Sequence, residues 1–104
     1  MAVFGLHAKF TALPGKRDEV VDILLKAASL MSDAEGCEFY VVNLVPAEPQ
    51  DVWITEFWAS REAHERSLTL PGVRDLIDDL IPLLQGRGER VELLPQGGHG
   101  LPPS

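Results

Sequence analysis

The chain has 104 residues, of which 45% are hydrophobic and 24% are charged, so its size and composition are those of one globular domain. Its net charge of −7, with no basic patch interleaved with aromatic residues, argues against a nucleic-acid partner. No apolar run approaches the roughly 20 residues of a membrane-spanning helix, and the first residues lack the pattern of a signal peptide. We therefore expect a cytoplasmic protein without membrane association.

Sequence motifs of common cofactor sites are missing. Cys37 is the only cysteine, so no intrachain disulfide can form. Neither CxxC nor HExxH occurs, and no cysteines and histidines have the spacing of metal ligands. The glycine-rich patterns GxGxxG and GxxxxGK[ST], which cradle phosphates, are missing too. We therefore expect no metal and no cofactor held by these motifs.

The first part of the chain predicts a strand followed by a helix. Residues 3–13 alternate between apolar and other side chains, as in a strand with one covered face. Pro14 and Gly15 end this strand in a turn. Acidic residues then suit the start of a helix over 16–32, whose apolar side chains recur at helical spacing.

Two neighbouring strands are predicted next. The stretch CEFYVVNLV (37–45) is rich in β-branched and aromatic residues, and so is VWITEFW (52–58). The intervening PAEPQD (46–51) contains two prolines and is predicted to be a loop. A connection of this length between two strands indicates an antiparallel hairpin.

A segmented helix and a last strand complete the pattern. Ser60 can cap a helix over 61–68, the sequence LPG interrupts it, and 73–84 continues it. Residues 88–94 predict a fourth strand. The order βαββαβ is that of a ferredoxin-like α+β fold, with a four-stranded antiparallel sheet and the helices on one face. We assign this domain to residues 1–95 and a Pro/Gly-rich C-terminal tail to 96–104.

The sheet face without helices is predicted to be apolar. Depending on the strand register, it carries Val41 or Val42 and Trp53 or Phe57. Such a surface is too apolar to remain in water, and an isologous contact needs only one self-complementary face. We therefore expect a homodimer in which two sheets pack back to back.

With these elements in place, three stretches resemble the antibiotic biosynthesis monooxygenase family. They are PGKRDE (14–19) after an alternating strand, GCEFYVV (36–42) at the start of the second strand, and TEFWASREAH (55–64) leading into a helix. The segment 81–101 is similar to a bacterial subgroup described as quinol monooxygenases. The resemblance covers about residues 3–101 and rests on the order and spacing of these motifs.

The resemblance implies a dimeric α+β barrel. It also implies an enzyme that oxidises a small aromatic quinol or phenol with O2, without metal or flavin. Such chemistry needs a dry pocket, a base that removes a phenolic proton, and hydrogen-bond donors for the developing charge. Two other functions on the same fold stay open, a non-catalytic ligand-binding dimer and an isomerase that acts by proton transfer.

The candidate catalytic residues are Glu56 and His64. Glu56 lies within an apolar strand, on the same face as Ile54 and Trp58 by alternation. It fits a base whose pKa is raised by burial, and it also fits a structural acid hydrogen-bonded across the sheet or at the dimer interface. His64 could remove a phenolic proton near pH 7, and a solvated or capping histidine is the alternative.

Three further side chains are candidates for binding the substrate. Trp58 could form an aromatic wall of the pocket, although it also fits the core. Tyr40 and Asn43 could orient a ligand oxygen. They face opposite ways by strand alternation, so we expect at most one of the two to line the pocket.

The sequence departs from the family pattern at several positions. Members often carry a histidine four residues after the alanine equivalent to Ala63, and here that position is Ser67 while the histidine is His64. Haem-degrading relatives use an asparagine, a tryptophan and a histidine at the positions of Ala8, Ser67 and Ile77. None of the three matches, so haem cleavage is disfavoured.

Overall fold

The computed structural model describes residues 3–100, which form a single sheet with helices on one face. The elements in chain order are β1 (Phe4–Thr11), α1 (Arg17–Met31), β2 (Cys37–Val45), β3 (Glu48–Trp58), α2 (Arg61–Ser67), α3 (Val73–Leu80), a short 3-10 helix (Ile81–Leu83) and β4 (Glu89–Leu93). The strand order is β2-β3-β1-β4, and every neighbouring pair is antiparallel. The predicted ferredoxin-like α+β fold is therefore confirmed, with the second helical region divided into α2 and α3.

The core lies between the sheet and the helices. Alternation along β1 buries Phe4, Leu6 and Ala8 on the helix-covered face. The apolar stripe of α1 contributes Val20 and Leu24, which pack in one cluster with Ala8. The buried residues of β3 project from this same helix-covered face.

The hairpin between β2 and β3 is tighter than the sequence indicates. The turn holds only Pro46 and Ala47, and β3 begins at Glu48, so the prediction of a loop over 46–51 is wrong. Pro49 is accommodated because the pairing of β2 with β3 is irregular at this point. A proline in such a bulge does not remove a ladder hydrogen bond.

Two local features fix the start of α2 and its distance from the sheet. The Ser60 hydroxyl accepts a hydrogen bond of 3.0 Å from the backbone N–H of Ala63, which confirms the predicted helix cap. Gly36 has a φ of 86°, and a Cβ at this position would lie 2.6 Å from the Cβ of Ala63. Only glycine permits this close approach of α2 to the start of β2.

The opposite face of the sheet carries exposed apolar side chains. The register places Val41, Trp53 and Phe57 there, and Val41 is 37% exposed while Val91 on β4 is 55% exposed. No helix within residues 3–100 is long and apolar enough to cross a membrane. In the predicted tail, residues 96–100 form neither helix nor strand, and 101–104 lie outside the described residues.

Candidate active site

A cavity of about 330 Å³ lies between the helix-covered face of the sheet and the helices α1 and α3. Most of its wall is apolar, and this part is contributed by β1 and by both helices. Representative side chains are those of Leu6, Phe10, Leu24, Leu76 and Leu80. A volume of this size and an apolar wall suit a small ring compound.

Glu56 lies in the sheet floor of this cavity. It is the central residue of a row across three strands, because it pairs with Leu6 on β1 and with Tyr40 on β2. Only 5% of Glu56 is exposed, and the indole Nε1 of Trp58 donates a 3.1 Å hydrogen bond to its Oε1. Burial raises the pKa of the Glu56 carboxyl, against the smaller opposing effects of the Trp58 hydrogen bond and the charge of Arg90.

His64 faces Glu56 from helix α2. Its ring lies against two aromatic rings, with centroid distances of 5.6 Å to Phe4 and 5.5 Å to Trp58. The Nε2 atom is 3.9 Å from Oε1 of Glu56, which is beyond hydrogen-bond distance. Burial, followed by the charge of Arg90, lowers the pKa of the His64 imidazole, so that the neutral ring is favoured near pH 7.

Tyr40 also contributes a polar group to the cavity. Its hydroxyl makes no hydrogen bond to any other residue within 3–100, and its ring lines the cavity. Burial is the main cause that raises the pKa of the Tyr40 phenol, and the charge of Glu56 acts in the same direction. The side chain therefore stays protonated and can donate a hydrogen bond to a ligand oxygen.

The other two residues predicted to bind substrate lie outside the cavity wall. Trp58 is fully buried behind Glu56 and supports this carboxylate through its indole N–H. Asn43 pairs with Trp53 on the opposite face of the sheet, where its Nδ2 donates to Thr55 Oγ1 at 3.4 Å. Strand alternation separates Asn43 from Tyr40, so the prediction that Asn43 binds the substrate does not fit this cavity.

Arg90 on β4 also lines the cavity, and the sequence did not single it out. It pairs with Ala8 of β1, and this register directs it to the helix-covered face. The local pattern of β4 alternates only over a few residues. The pairing of β1 with β4, which brings Arg90 to the cavity, is a long-range contact that local alternation does not reveal.

The positions that correspond to the haem-degrading residues lie in the same cavity. Ala8, Ser67 and Ile77 all line it, and their side chains are not the ligands that iron takes from proteins. Within residues 3–100, no group of three or more histidine, cysteine, aspartate and glutamate side chains is arranged to hold a metal ion.

The family model described as antibiotic biosynthesis monooxygenase matches residues 3–79. A solved structure of a candidate antibiotic biosynthesis monooxygenase from Chloroflexus aurantiacus is 42% identical in sequence, with a TM-score of 0.87. The match covers 97% of this chain and 100% of that one. A comparison with curated proteins gave no match.

More distant structures share the fold. One is a candidate antibiotic biosynthesis monooxygenase from Caulobacter crescentus, with 18% identity, a TM-score of 0.85 and coverage of 92% of each chain. Another is a mutant of SnoaB, a cofactor-independent oxygenase from Streptomyces nogalater. It has 15% identity and a TM-score of 0.81, and the match covers 95% of this chain and 98% of that one.

Proposed function

The chain belongs to the antibiotic biosynthesis monooxygenase family, and we propose that it is a cofactor-independent monooxygenase. Its substrate is a small aromatic quinol or phenol, and its oxidant is O2. The observation that carries the proposal is the apolar cavity in which Glu56, His64 and Tyr40 meet. SnoaB, which shares the fold, is named a cofactor-independent oxygenase.

The proposed reaction begins with deprotonation of the substrate. A quinolate or phenolate is electron-rich enough to give an electron to O2, which a neutral ring does not do readily. The resulting radicals combine to form a carbon–oxygen bond, and the peroxide then loses water. For a hydroquinone the balance is one quinol and one O2 giving one hydroxyquinone and one water. An apolar cavity favours these steps because it keeps water from the reactive intermediates.

His64 is the proposed base. The neutral imidazole takes the proton from the substrate hydroxyl, and burial of the ring supports this protonation state near pH 7. Once protonated, His64 has the Glu56 carboxylate 3.9 Å away as a counter-charge. Glu56 therefore stabilises the imidazolium that forms, and Trp58 holds the Glu56 carboxylate in place through its hydrogen bond.

Tyr40 is the proposed donor to the substrate oxygen. Its phenol remains protonated, and its hydroxyl has no other partner in the described part of the chain. A donor fixed before the reaction stabilises the negative charge that develops when the proton leaves. This role needs the hydroxyl, whereas the ring alone contributes to the apolar wall.

The proposed assembly is a homodimer in the cytoplasm. The apolar face with Val41, Trp53 and Phe57 is the candidate surface for an isologous contact, and Phe39 packs against Phe57 on it. The proposed division of the chain is a domain over 1–95 followed by a tail over 96–104. Within the described part of the tail, residues 96–100, no side chain lines the cavity.

Oxygen consumption tests the proposed function. Uptake of O2 with a hydroquinone or an anthrone should exceed autoxidation, should persist after metal chelation, and should fall about a hundredfold or more in His64→Ala. His99→Ala is the matched control, because His99 is exposed and does not line the cavity. Consumption no faster than autoxidation would contradict the proposal. Product formation in the absence of O2 would point to an isomerase.

A further inference from the structure

The charged residues of β4 differ in how they are paired. The Glu89 carboxylate lies 2.7 Å from Lys9 Nζ. The Glu92 carboxylate receives two hydrogen bonds from Arg61, of 2.8 and 2.7 Å. Both acidic side chains of this strand are therefore neutralised by a cation other than Arg90.

Arg90 lies between these two pairs and has no ion pair or hydrogen bond of its own within residues 3–100. Its side chain lines the cavity and is exposed. The positive charge of Arg90 partly opposes the rise that burial causes in the pKa of Glu56, and it adds to the fall that burial causes in the pKa of His64. The cavity thus has one arginine at its rim whose donors are available to a ligand.

We propose that Arg90 binds a carboxylate on the substrate, so that the enzyme prefers quinols or phenols that carry a carboxylate over uncharged ones. A guanidinium has a planar arrangement of donors that matches both oxygens of a carboxylate. This inference rests on the proposed function, because it assigns a substituent to the substrate of the same cavity. It does not depend on the oxidation step itself.

The sheet topology sets the orientation of such a ligand. Strand β1 lies between β3, which carries Glu56, and β4, which carries Arg90. Two strand spacings separate these elements by roughly 10 Å. The carboxylate is therefore bound at the rim, while the ring carbon that reacts lies deeper, near Glu56 and His64. A substrate that binds in this way presents the same ring edge to the base at every turnover.

Isothermal titration calorimetry with two redox-inert probes tests the inference. The probes are 2-naphthoate and 2-naphthamide, which have the same ring system and differ in charge at pH 7.5. Wild-type protein should bind the carboxylate roughly tenfold more tightly than the amide. Arg90→Gln should abolish this preference, Arg90→Lys should retain part of it, and Arg87→Gln should leave it unchanged. Arg87 is a control because it is exposed and outside the cavity wall.

Three results would overturn the inference. They are the absence of naphthoate binding, equal affinities for the two probes, and a carboxylate preference that Arg90→Gln leaves intact. Circular dichroism of each variant verifies that it is folded, and Arg90→Lys serves if Arg90→Gln is not. An enzyme that binds naphthoate through Arg90 but consumes no O2 would contradict the proposed function alone. An active enzyme with no carboxylate preference would contradict this inference alone.

Discussion

The Nε2 atom of His64 lies 3.9 Å from the Oε1 atom of Glu56, and both side chains are almost fully removed from water. This distance is too long for a hydrogen bond, and Oε1 already accepts one from Trp58. The two residues are thus not a preformed dyad. They become an ion pair when His64 takes a proton while Glu56 is ionised, which is the state that follows deprotonation of a substrate.

The pH dependence of stability should change in Glu56→Gln. The folded protein keeps the Glu56 proton above the ordinary glutamate pKa of 4.5, so it binds more protons than the unfolded chain between this pH and the raised pKa. The contribution of Glu56 to the free energy of unfolding therefore falls as the pH rises through this range, by about 1.4 kcal/mol for each pKa unit of difference. Glutamine should remove this fall.

Urea unfolding of wild type and Glu56→Gln between pH 4 and 8 measures the effect. The variant should gain stability relative to wild type with increasing pH. Glu35→Gln is the control, since Glu35 is exposed, and its difference from wild type should vary much less. A difference between Glu56→Gln and wild type that is independent of pH would contradict the assignment of a buried carboxyl with a raised pKa.

Trp58→Phe should shift the pH profile of the reaction. Loss of the indole donor removes the hydrogen bond that lowers the Glu56 pKa, so the acidic limb of kcat/KM should move to higher pH. The unpaired acceptor should also lower stability by about 1–3 kcal/mol. Trp53→Phe is the control on the opposite face. If Trp58→Phe loses stability without any shift of the acidic limb, Trp58 has only a structural role.

Tyr40→Phe should lower kcat more than it changes KM. The variant keeps the aromatic ring in the cavity and loses only the hydroxyl. If this hydroxyl stabilises the negative charge that develops on the substrate oxygen, its removal should lower kcat about a hundredfold. Thr69→Val removes a hydroxyl from an exposed turn and should have little effect on kcat. An unchanged kcat in Tyr40→Phe would remove this residue from the reaction.

Gly36→Ala should be more destabilising than Gly86→Ala. Both glycines have a left-handed backbone, with φ of 86° and 73°, and alanine costs about 1–2 kcal/mol in this conformation. A Cβ at position 36 would also lie 2.6 Å from the Cβ of Ala63, whereas position 86 has nothing within 4 Å. Urea unfolding measures both variants. Equal losses would mean that the contact between α2 and β2 is not close.

The proposed dimer should depend on the apolar sheet face. Sedimentation equilibrium at micromolar concentration should give twice the monomer mass for wild type and the monomer mass for Val41→Glu, because a buried unpaired carboxylate is costly. Leu25→Glu is the matched control, since Leu25 is 51% exposed and lies on α1. A wild-type protein that sediments as a monomer would contradict the back-to-back arrangement.

The sequence predicts the fold well where the signals are local. Alternation along β1, the cap at Ser60 and the stripe of α1 are each produced by neighbouring residues, and the structure confirms them. The start of β3 was missed because Pro49 is normally a strand breaker. Its tolerance depends on a bulge that only the pairing of the two strands creates.

The site was predictable only in part, because it depends on long-range packing. Strand parity separates Tyr40 from Asn43, but it does not say which of them faces the helices. His64 comes close to Glu56 because α2 packs closely against the start of β2, and this packing is possible only because residue 36 is a glycine. Arg90 was missed because its place at the cavity follows from the β1–β4 register.

We propose above that the protein oxygenates its substrate with O2 and that His64 is the base. Mass spectrometry of the product formed under 18O2, in buffer treated with a chelator, tests it most directly. We predict a hydroxyquinone with one 18O atom in the newly formed carbon–oxygen bond, at a rate that His64→Ala lowers about a hundredfold or more. A product that takes its new oxygen from water, or equal rates for the variant and wild type, would contradict the claim.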